Sequence, residues 1–446
     1  MGVYHFIAIG GIGMSGLAKY LLEDGHTVSG SDIADSKYIN ALRDLGARVT
    51  IGHSADNVPD NAIVVVSTAI RENNPELVRA KELGLKIYHR SDMLNEISES
   101  AQGEGKCFIG FSGTHGKTTT SGLCSYVLDK AGLEPSFVDG GIVPELHTNA
   151  QHKCGKYFVA ELDESDGTIV KYNPDILVIN NLEEDHLDFY KNGMADIIKT
   201  FDTAVSRSKK VLVNNDNPGV NLLNGHFITY GLNSADYTAN NIQYTKEGTS
   251  FDIYKKGELL TSVRIQLSGV HNVYNTLAVI SALSESGADI NLVKDYFYGF
   301  TGMGRRFQKV CELNGIQVYD DYAHHPTEIK ATLNSAALKF GKEHIVAVFQ
   351  PHRYTRLKAL WNEFKNSFEE AGRVIVTDVY SASEDVIVGI TGEKFASELG
   401  AEYLSGSMKD VAQMLLPTLK KGDIVIGLGA GTITALGKEL EHLELV

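Results

Sequence analysis

Proline and cysteine are scarce in this chain: 9 prolines and 4 cysteines among 446 residues. With apolar residues at 43% and charged residues at 22%, that balance excludes a disordered chain and a collagen-like repeat. The cysteines, Cys107, Cys124, Cys154 and Cys311, show no Cys-x-x-Cys spacing. This excludes a tight disulfide framework and points to a reducing, cytoplasmic compartment. Positive charge is also in deficit, with 41 basic against 56 acidic residues and a net charge of −15. Such a chain has no electrostatic footprint for nucleic acid or an anionic membrane, and can bind phosphates only at local sites. No run reaches 18 apolar residues, so no membrane span is expected. Met1–Gly10 has no basic stretch and passes straight into strand-like sequence, so no secretory signal is expected.

What is present is alternation. Short apolar runs are separated by helix-length amphipathic segments, the pattern of parallel α/β units. Tyr4–Ile9, Thr27–Gly30, Arg48–Ile51 and Ala62–Ser67 read as strands, with helices at Met14–Glu23 and Tyr38–Leu45. The polar stretch Ser98–Gly105 reads as a linker, and the pattern restarts at the strand Cys107–Phe111. Tyr157–Leu162, Ile176–Asn180 and Val211–Asn214 read as buried strands. His226–Leu267 alternates in period two, predicting antiparallel strands added to the central sheet, closed by a helix over Asn272–Ser286. A last α/β run has strands near Gln317–Tyr319, Ile345–Phe349, Val374–Thr377 and Ile424–Gly427. Three α/β domains are expected, at residues 1–104, 105–303 and 304–446: Rossmann-like, P-loop ATPase-like with antiparallel additions, and Rossmann-like again.

Two glycine turns carry the strongest chemistry. Gly11-Ile-Gly13-Met-Ser-Gly16 follows a strand and opens a helix, so backbone amides and the helix N-terminus can face a diphosphate. Asp32 ends the next strand, where a ribose-binding acid belongs. Alone, this fits a nicotinamide-dependent oxidoreductase as well as any other diphosphate binder. Gly113-Thr-His-Gly116-Lys117-Thr118 is sharper. Lys117 can neutralise phosphate charge, Thr118 can ligate magnesium, and the glycine amides can cradle oxygens. Phe111 stands where the strict motif has its first glycine.

Glu161 and His186 end apolar strands beside that loop and could hold a magnesium ion, whereas Glu183 and Glu184 read as a solvated loop. Pro326 predicts a helix start that leaves His324 and His325 in the preceding loop. Arg353 and Arg356 are expected to share a helix face, as a grip for a carboxylate or phosphate or as plain surface charge.

The ordered markers GGIGMSG (10–16), GTHGKTTT (113–120), DESD (163–166), EDHLD (184–188), HNVYN (271–275), RRF (305–307), DDYAHHPTEI (320–329) and QPHRYTR (350–356) cover nearly the whole chain. In this order they resemble the Mur ligases, ATP-dependent amide-bond-forming enzymes of peptidoglycan precursor synthesis. The resemblance is nearest to the branch that adds L-alanine to UDP-N-acetylmuramate; a ligase joining a recycled tripeptide to the same sugar nucleotide is the runner-up. It implies a cytoplasmic enzyme, monomer or homodimer, using ATP and Mg2+. Gly11, Gly13, Met14, Ser15 and Gly16 would meet the diphosphate, and Asp32 and His53 would help place the uridine. Gly113, Thr114, His115, Gly116, Lys117, Thr118, Thr119, His271, Asn272, Asn275, Arg306 and Asp321 would contact ATP. Thr118, Glu161 and His186 would hold the metal. Tyr322, His324, His352, Arg353 and Arg356 would recognise the amino acid, with Lys117 and His324 as the catalytic candidates. A second, ATP-type loop disposes of a simple dehydrogenase, and the presence of Lys117, Glu161 and His186 argues against a non-catalytic sugar-nucleotide sensor. Two departures stand out: Phe201 where other Mur ligases often carry a lysine, which fits the alanine-adding branch, and Thr432 where an aspartate is common.

Overall fold

Runs such as Val64–Val65 or Phe108–Ile109 are apolar on both faces of a strand and cannot tolerate solvent on either. Sheets made of them must be covered by helices on both sides, which short βα connections achieve. The computed structural model describes residues 2–444 apart from Asp188, Lys246 and Ser383. Asp188, the last residue of the EDHLD marker, therefore lies outside the described residues.

The first domain contains β1 (Val3–Ile7), α1 (Ile12–Glu23), β2 (Thr27–Asp32), α2 (Lys37–Asp44), β3 (Arg48–Ile51), β4 (Ile63–Val66), α3 (Pro75–Glu82), β5 (Ile87–His89) and α4 (Arg90–Gly103). Its sheet is parallel, in the order β3-β2-β1-β4-β5. The order reverses between β1 and β4, so a crevice opens beyond their carboxyl ends.

The central domain adds β6 (Cys107–Ser112), α5 (Lys117–Lys130), β7 (Ser136–Val143), β8 (Thr148–Gln151), β9 (Tyr157–Glu161), β10 (Ile176–Ile179), α6 (Met194–Arg207), β11 (Lys210–Asn214), β12 (Ile228–Gly231), β13 (Tyr237–Thr245), β14 (Gly248–Lys255), β15 (Glu258–Ile265) and α7 (Val270–Glu285). Its strands run in the order β15-β14-β13-β12-β11-β10-β6-β9-β7-β8. The last domain follows a short α8 (Ile290–Val293). It holds β16 (Gln308–Leu313), β17 (Ile316–Asp321), α9 (Pro326–Phe340), β18 (Ile345–Phe349), α10 (Tyr354–Ala359), α11 (Trp361–Lys365), β19 (Arg373–Val376), α12 (Gly392–Leu399), β20 (Glu402–Tyr403), α13 (Met408–Leu415), β21 (Ile424–Leu428) and α14 (Leu436–Glu444). Its sheet order is β16-β17-β21-β18-β19-β20. The chain divides into two compact units. The first two domains form one, and the residues from Gly302 onward form the other, with short segments around Gly248 and Ser268.

Three expectations need correction. Residues 98–103 of the expected linker are the last turns of α4. Met93, Leu94, Ile97, Ser98 and Ala101 fall on its buried side while Glu99 and Ser100 face water, so polar composition there marks an amphipathic helix. The antiparallel additions begin later than His226, because β12 pairs parallel with β11 and with β13. Arg353 does not lie on a helix: it caps α10 at φ 70°, while Arg356 lies within it.

The first two domains share one hydrophobic core, in which Leu17, Tyr20 and Leu21 of α1 join Val138, Ala150 and Phe158 of the central sheet.

Candidate active site

The crevice of the first sheet is a cleft of about 460 Å3 lined by Gly10–Met14, Asp32 and Arg90 among others. Asp32 is oriented by the Gly10 amide, which donates to its Oδ2 at 2.8 Å. Gly13 lies close under Arg90: a Cβ there would stand 3.2 Å from Arg90 Nη1. Ser15 and Gly16 are both buried in the first turns of α1. Ser15 is buried, with its hydroxyl donating to Ile12 O. A Cβ on Gly16 would meet Asn149 Nδ2 at 2.7 Å, so this glycine lets α1 approach β8. His53 bonds through Nδ1 to Ser31, the neighbour of Asp32, at 2.8 Å. Arg90, which motif reading missed, pairs with Asp163 of the central domain at 3.1 Å. Its signal is faint, a single arginine at a strand–helix junction.

In the central sheet, β10 and β9 flank β6 in parallel, so Thr118, Glu161 and His186 all follow or end three adjacent strands at one edge. The loop after β6 turns through Gly113 at φ 122° and Gly116 at φ 81°, and Gly116 caps α5. Both glycines are also pinched: a Cβ on Gly113 would lie 2.7 Å from Asn181 O, and one on Gly116 would lie 2.9 Å from Asn275 Oδ1. The Thr114 and His115 amides donate to Asn181 O at 3.0 Å and Asn181 Oδ1 at 2.8 Å. Thr118 and Thr119 sit in the first turn of α5. Asn180, also unassigned from sequence, donates to His115 O and to Thr120 Oγ1.

Lys117 is largely buried, with its Nζ donating to Gly113 O at 2.6 Å and to Glu164 Oε1 at 3.0 Å. Burial alone would lower the ammonium, but the carboxylates of Glu164, Asp163 and Glu161 outweigh it and hold the group above its ordinary range. A charged lysine inside an acidic pocket is poised to exchange partners with anionic phosphate. Glu161 Oε2 accepts from the Gly140 amide at 3.0 Å, and a Cβ on Gly140 would collide with that carboxylate at 2.1 Å. A hydroxyl, a carboxylate and an imidazole at one sheet edge, with surplus negative charge around Lys117, fit a divalent cation held partly by oxygen. Phe201 is fully buried in the core under α6.

The last domain gathers its own cluster at the carboxyl ends of β17, β21 and β18. Asp321 is buried and accepts from the Phe307 and Ala323 amides, both at 2.7 Å, and burial pushes its carboxyl up to about 6. Arg306 pairs with Glu328 at 3.3 Å, and the Arg305 and Arg306 guanidiniums lie 4.9 and 5.3 Å from the Tyr322 ring centre. His325 caps α9 in a capping box with Glu328, as the proline after it predicts. Tyr322, His324 and His352 stack edge to face in series, at 5.1 and 5.8 Å. His352 lies flat against Tyr380 at 5.5 Å and meets Arg356 Nη1 through Nδ1 at 3.3 Å.

Burial pushes the His324 imidazole down to about 4 and that of His352 to about 3, so both are neutral near pH 7. Thr432 has a visible part in this loop: its hydroxyl accepts from Gln350 Nε2 at 2.9 Å and thereby fixes the start of the QPHRYTR segment. In the same unit, Asn272 donates to Ser268 O at 2.8 Å and sits 3.0 Å from His271 Nε2.

Models of known families match in the same order as the sheets. The Mur ligase family catalytic domain matches residues 3–102, the Mur ligase middle domain residues 111–283, and the Mur ligase glutamate ligase domain residues 305–431. The chain is 41% identical to the UDP-N-acetylmuramate–L-alanine ligase of Pelobacter propionicus, over 98% of this chain and 97% of that protein. It is 40% identical to the protein of that name from Geobacter sulfurreducens, covering 97% and 96%. The crystal structure of the UDP-N-acetylmuramate-alanine ligase of Thermotoga maritima matches with a TM-score of 0.85 at 29% identity, covering 100% of this chain and 99% of that one. A murein peptide ligase of Psychrobacter arcticus shares the fold, with a TM-score of 0.72 at 22% identity. Similarity that runs unbroken through a diphosphate-type crevice, a lysine-bearing phosphate loop and a third domain makes this chain a member of the Mur ligase family.

Proposed function

We propose that the protein joins L-alanine to UDP-N-acetylmuramate, converting ATP to ADP and phosphate and giving UDP-N-acetylmuramoyl-L-alanine. The observation that carries this reading is the 41% identity to an alanine-adding ligase over 98% of the chain. Residues 1–104 serve the sugar nucleotide, 105–303 the ATP and 304–446 the amino acid.

A carboxylate and an amine do not condense in water, so the muramoyl carboxylate first attacks the γ-phosphorus of ATP, and ADP leaves. The amine of alanine then attacks the acyl phosphate, and phosphate departs from the tetrahedral intermediate. Lys117 gives up its bonds to Glu164 and the loop carbonyls for the phosphoryl oxygens, where its charge offsets the charge of transfer. Thr118, Glu161 and His186 would hold Mg2+, which would supply further neutralisation of phosphate charge when bound. Gly113, Thr114, His115, Gly116 and Thr119 shape the phosphate cradle, while His271, Asn272, Asn275, Arg306 and Asp321 contact the nucleotide.

In the first domain, Gly11, Gly13, Met14, Ser15 and Gly16 meet the diphosphate. Arg90 adds a charge there, and Asp32 and His53 place the uridine. In the last domain, Arg353 and Arg356 hold the alanine carboxylate, with Tyr322 and His352 shaping its pocket. His324 donates through Nδ1 to Tyr322 O at 2.9 Å, which leaves Nε2 as an acceptor. Through Nε2, His324 takes a hydrogen bond from the alanine amine, orienting it or assisting its deprotonation.

The test is phosphate release from ATP with UDP-N-acetylmuramate and each amino acid in turn. Alanine should be the preferred acceptor. Turnover with a tripeptide and none with alanine would move the protein to the peptide-recycling branch.

A further inference from the structure

Behind Asp32 lies a buried polar chain that contributes no group to the reacting atoms. Glu76, in the first turn of α3, is fully buried, and both of its oxygens are engaged. Oε1 accepts from the Ser54 amide at 3.1 Å and from Asn57 Nδ2 at 2.7 Å. Oε2 accepts from the Ser31 hydroxyl at 2.5 Å and lies 3.3 Å from His5 Nε2. Burial would raise this carboxyl, but the hydrogen bonds from His5, Ser31, Asn57 and Ser54 hold it down to about 2.

Ser31 Oγ is in turn 2.8 Å from His53 Nδ1. A hydroxyl has one proton to give, and an ionised carboxylate can only accept. The Ser31 proton is therefore committed to Glu76, and His53 Nδ1 must supply the hydrogen of the Ser31–His53 bond. In the neutral ring that leaves Nε2 as a bare acceptor. Among the described residues no group bonds His53 Nε2, and the side chain keeps 16% exposure.

We propose that Glu76, Ser31 and His53 form the base-reading device of the sugar-nucleotide site, presenting Nε2 to take the N3–H of uracil. Cytosine offers a lone pair at N3, so it sets acceptor against acceptor and is rejected. The proposal rests on the assignment of this cleft to the UDP-sugar and of His53 to its uridine. Glu76 and Ser31 are positioning residues, acting only through the hydrogen they leave on His53.

Glu76→Gln tests the relay directly. The carboxamide must put its oxygen toward the Ser54 amide, a backbone donor that cannot invert, and so its NH2 faces Ser31. The Ser31 hydroxyl then accepts from that NH2 and donates to His53 Nδ1, which moves the ring hydrogen to Nε2 and turns the acceptor into a donor. Ser31→Ala removes the relay without touching the other partners of Glu76.

Titration calorimetry of the full-length protein compares UDP with CDP, with a non-hydrolysable ATP analogue saturating the central site. The titrations are run at pH 8.5. The wild type should bind UDP at least about tenfold more tightly than CDP, the scale of one mispaired polar contact. Both variants should lower that ratio by about fivefold or more, with the affinity for the ATP analogue unchanged. A merely loosened site weakens UDP and CDP alike and leaves the ratio where it was, and that result overturns the proposal. Equal binding of UDP and CDP by the wild type overturns it too. If the wild type binds neither UDP nor CDP while still binding the ATP analogue, the cleft assignment itself has failed. Should Glu76→Gln not fold, the Ser31→Ala ratio decides alone.

Discussion

Replacing Lys117 by methionine separates its work in the reaction from its work in the fold. The substitution keeps the length of the side chain and removes the charge. At the transition state, losing one preorganised donor costs about 2.7–4 kcal/mol, a fall in rate of about 100- to 1000-fold. In the fold, it strands Glu164, whose side chain is 4% exposed and whose carboxylate is 2.9–3.0 Å from the ammonium. Breaking a buried pair by removing one partner typically costs about 3–5 kcal/mol. The double variant Lys117→Met/Glu164→Gln should recover most of that stability and none of the rate.

The pH dependence tells the two apart. Burial pushes the Glu164 carboxyl above its ordinary value, and Lys117 opposes that push. Without Lys117 the carboxyl rises further, so the folded single variant binds more protons than its unfolded chain at any pH between the ordinary and the raised values. Its stability must therefore fall as pH rises through that window, by up to about 1.4 kcal/mol per unit. Urea unfolding followed by circular dichroism from pH 5 to 8 reads the slope, and phosphate release reads the rate. Wild-type turnover by a folded Lys117→Met protein would refute the phosphoryl-transfer role. Equal pH slopes for the single and double variants would refute the part given to Glu164.

In the acceptor cluster, Arg356→Ala should raise the apparent KM for alanine by about 10- to 150-fold, one charge-assisted contact. The constants for ATP and the UDP-sugar should hardly move; a rise in the ATP constant instead would assign the arginine to the nucleotide. His324, pushed down to about 4 against about 6.5 when unfolded, makes the unfolded chain the better proton binder between those values. Its contribution of about 3 kcal/mol is therefore present above pH 6.5 and lost as pH falls toward 4, and a His324→Asn variant should show a shallower loss in urea unfolding. Phe201→Ala should cost about 3–5 kcal/mol in the same measurement, because it empties a fully buried aromatic site, while kcat of the folded enzyme stays within a few-fold.

The parts of the molecule legible from sequence are those where one physical demand is written locally. An apolar strand followed by Gly113 and Gly116 announces a turn at positive φ, and Pro326 announces the start of α9. Residues 98–103 mislead because their exposed face is as polar as a linker, while the buried face repeats at only a few positions. Gly16 carries a second demand that its loop does not spell: a Cβ there would crowd Asn149, far along the chain. Glu76 is invisible in sequence: Asn74-Pro75-Glu76 spells a capped helix start, and its partners stand at 5, 31, 54 and 57. Tyr380 is hidden for the same reason, since only folding brings it against His352.

The shared core beneath α1 limits what can be transplanted. Asn149 Nδ2 donates to Ile12 O at 2.7 Å, and Lys19 Nζ donates to Ala150 O at 2.6 Å, so the central sheet's edge strand finishes the helix that borders the cleft. Cutting the chain after α4 would lay bare Leu17, Tyr20 and Leu21 and leave that helix without its outer wall. A chimera that exchanges the sugar-binding module between two ligases must carry β7 and β8 along with it, although some thirty residues separate α4 from β7. The unit of inheritance for the donor site is thus discontinuous in the chain, and recombination at the visible domain boundary should yield aggregates, not hybrids.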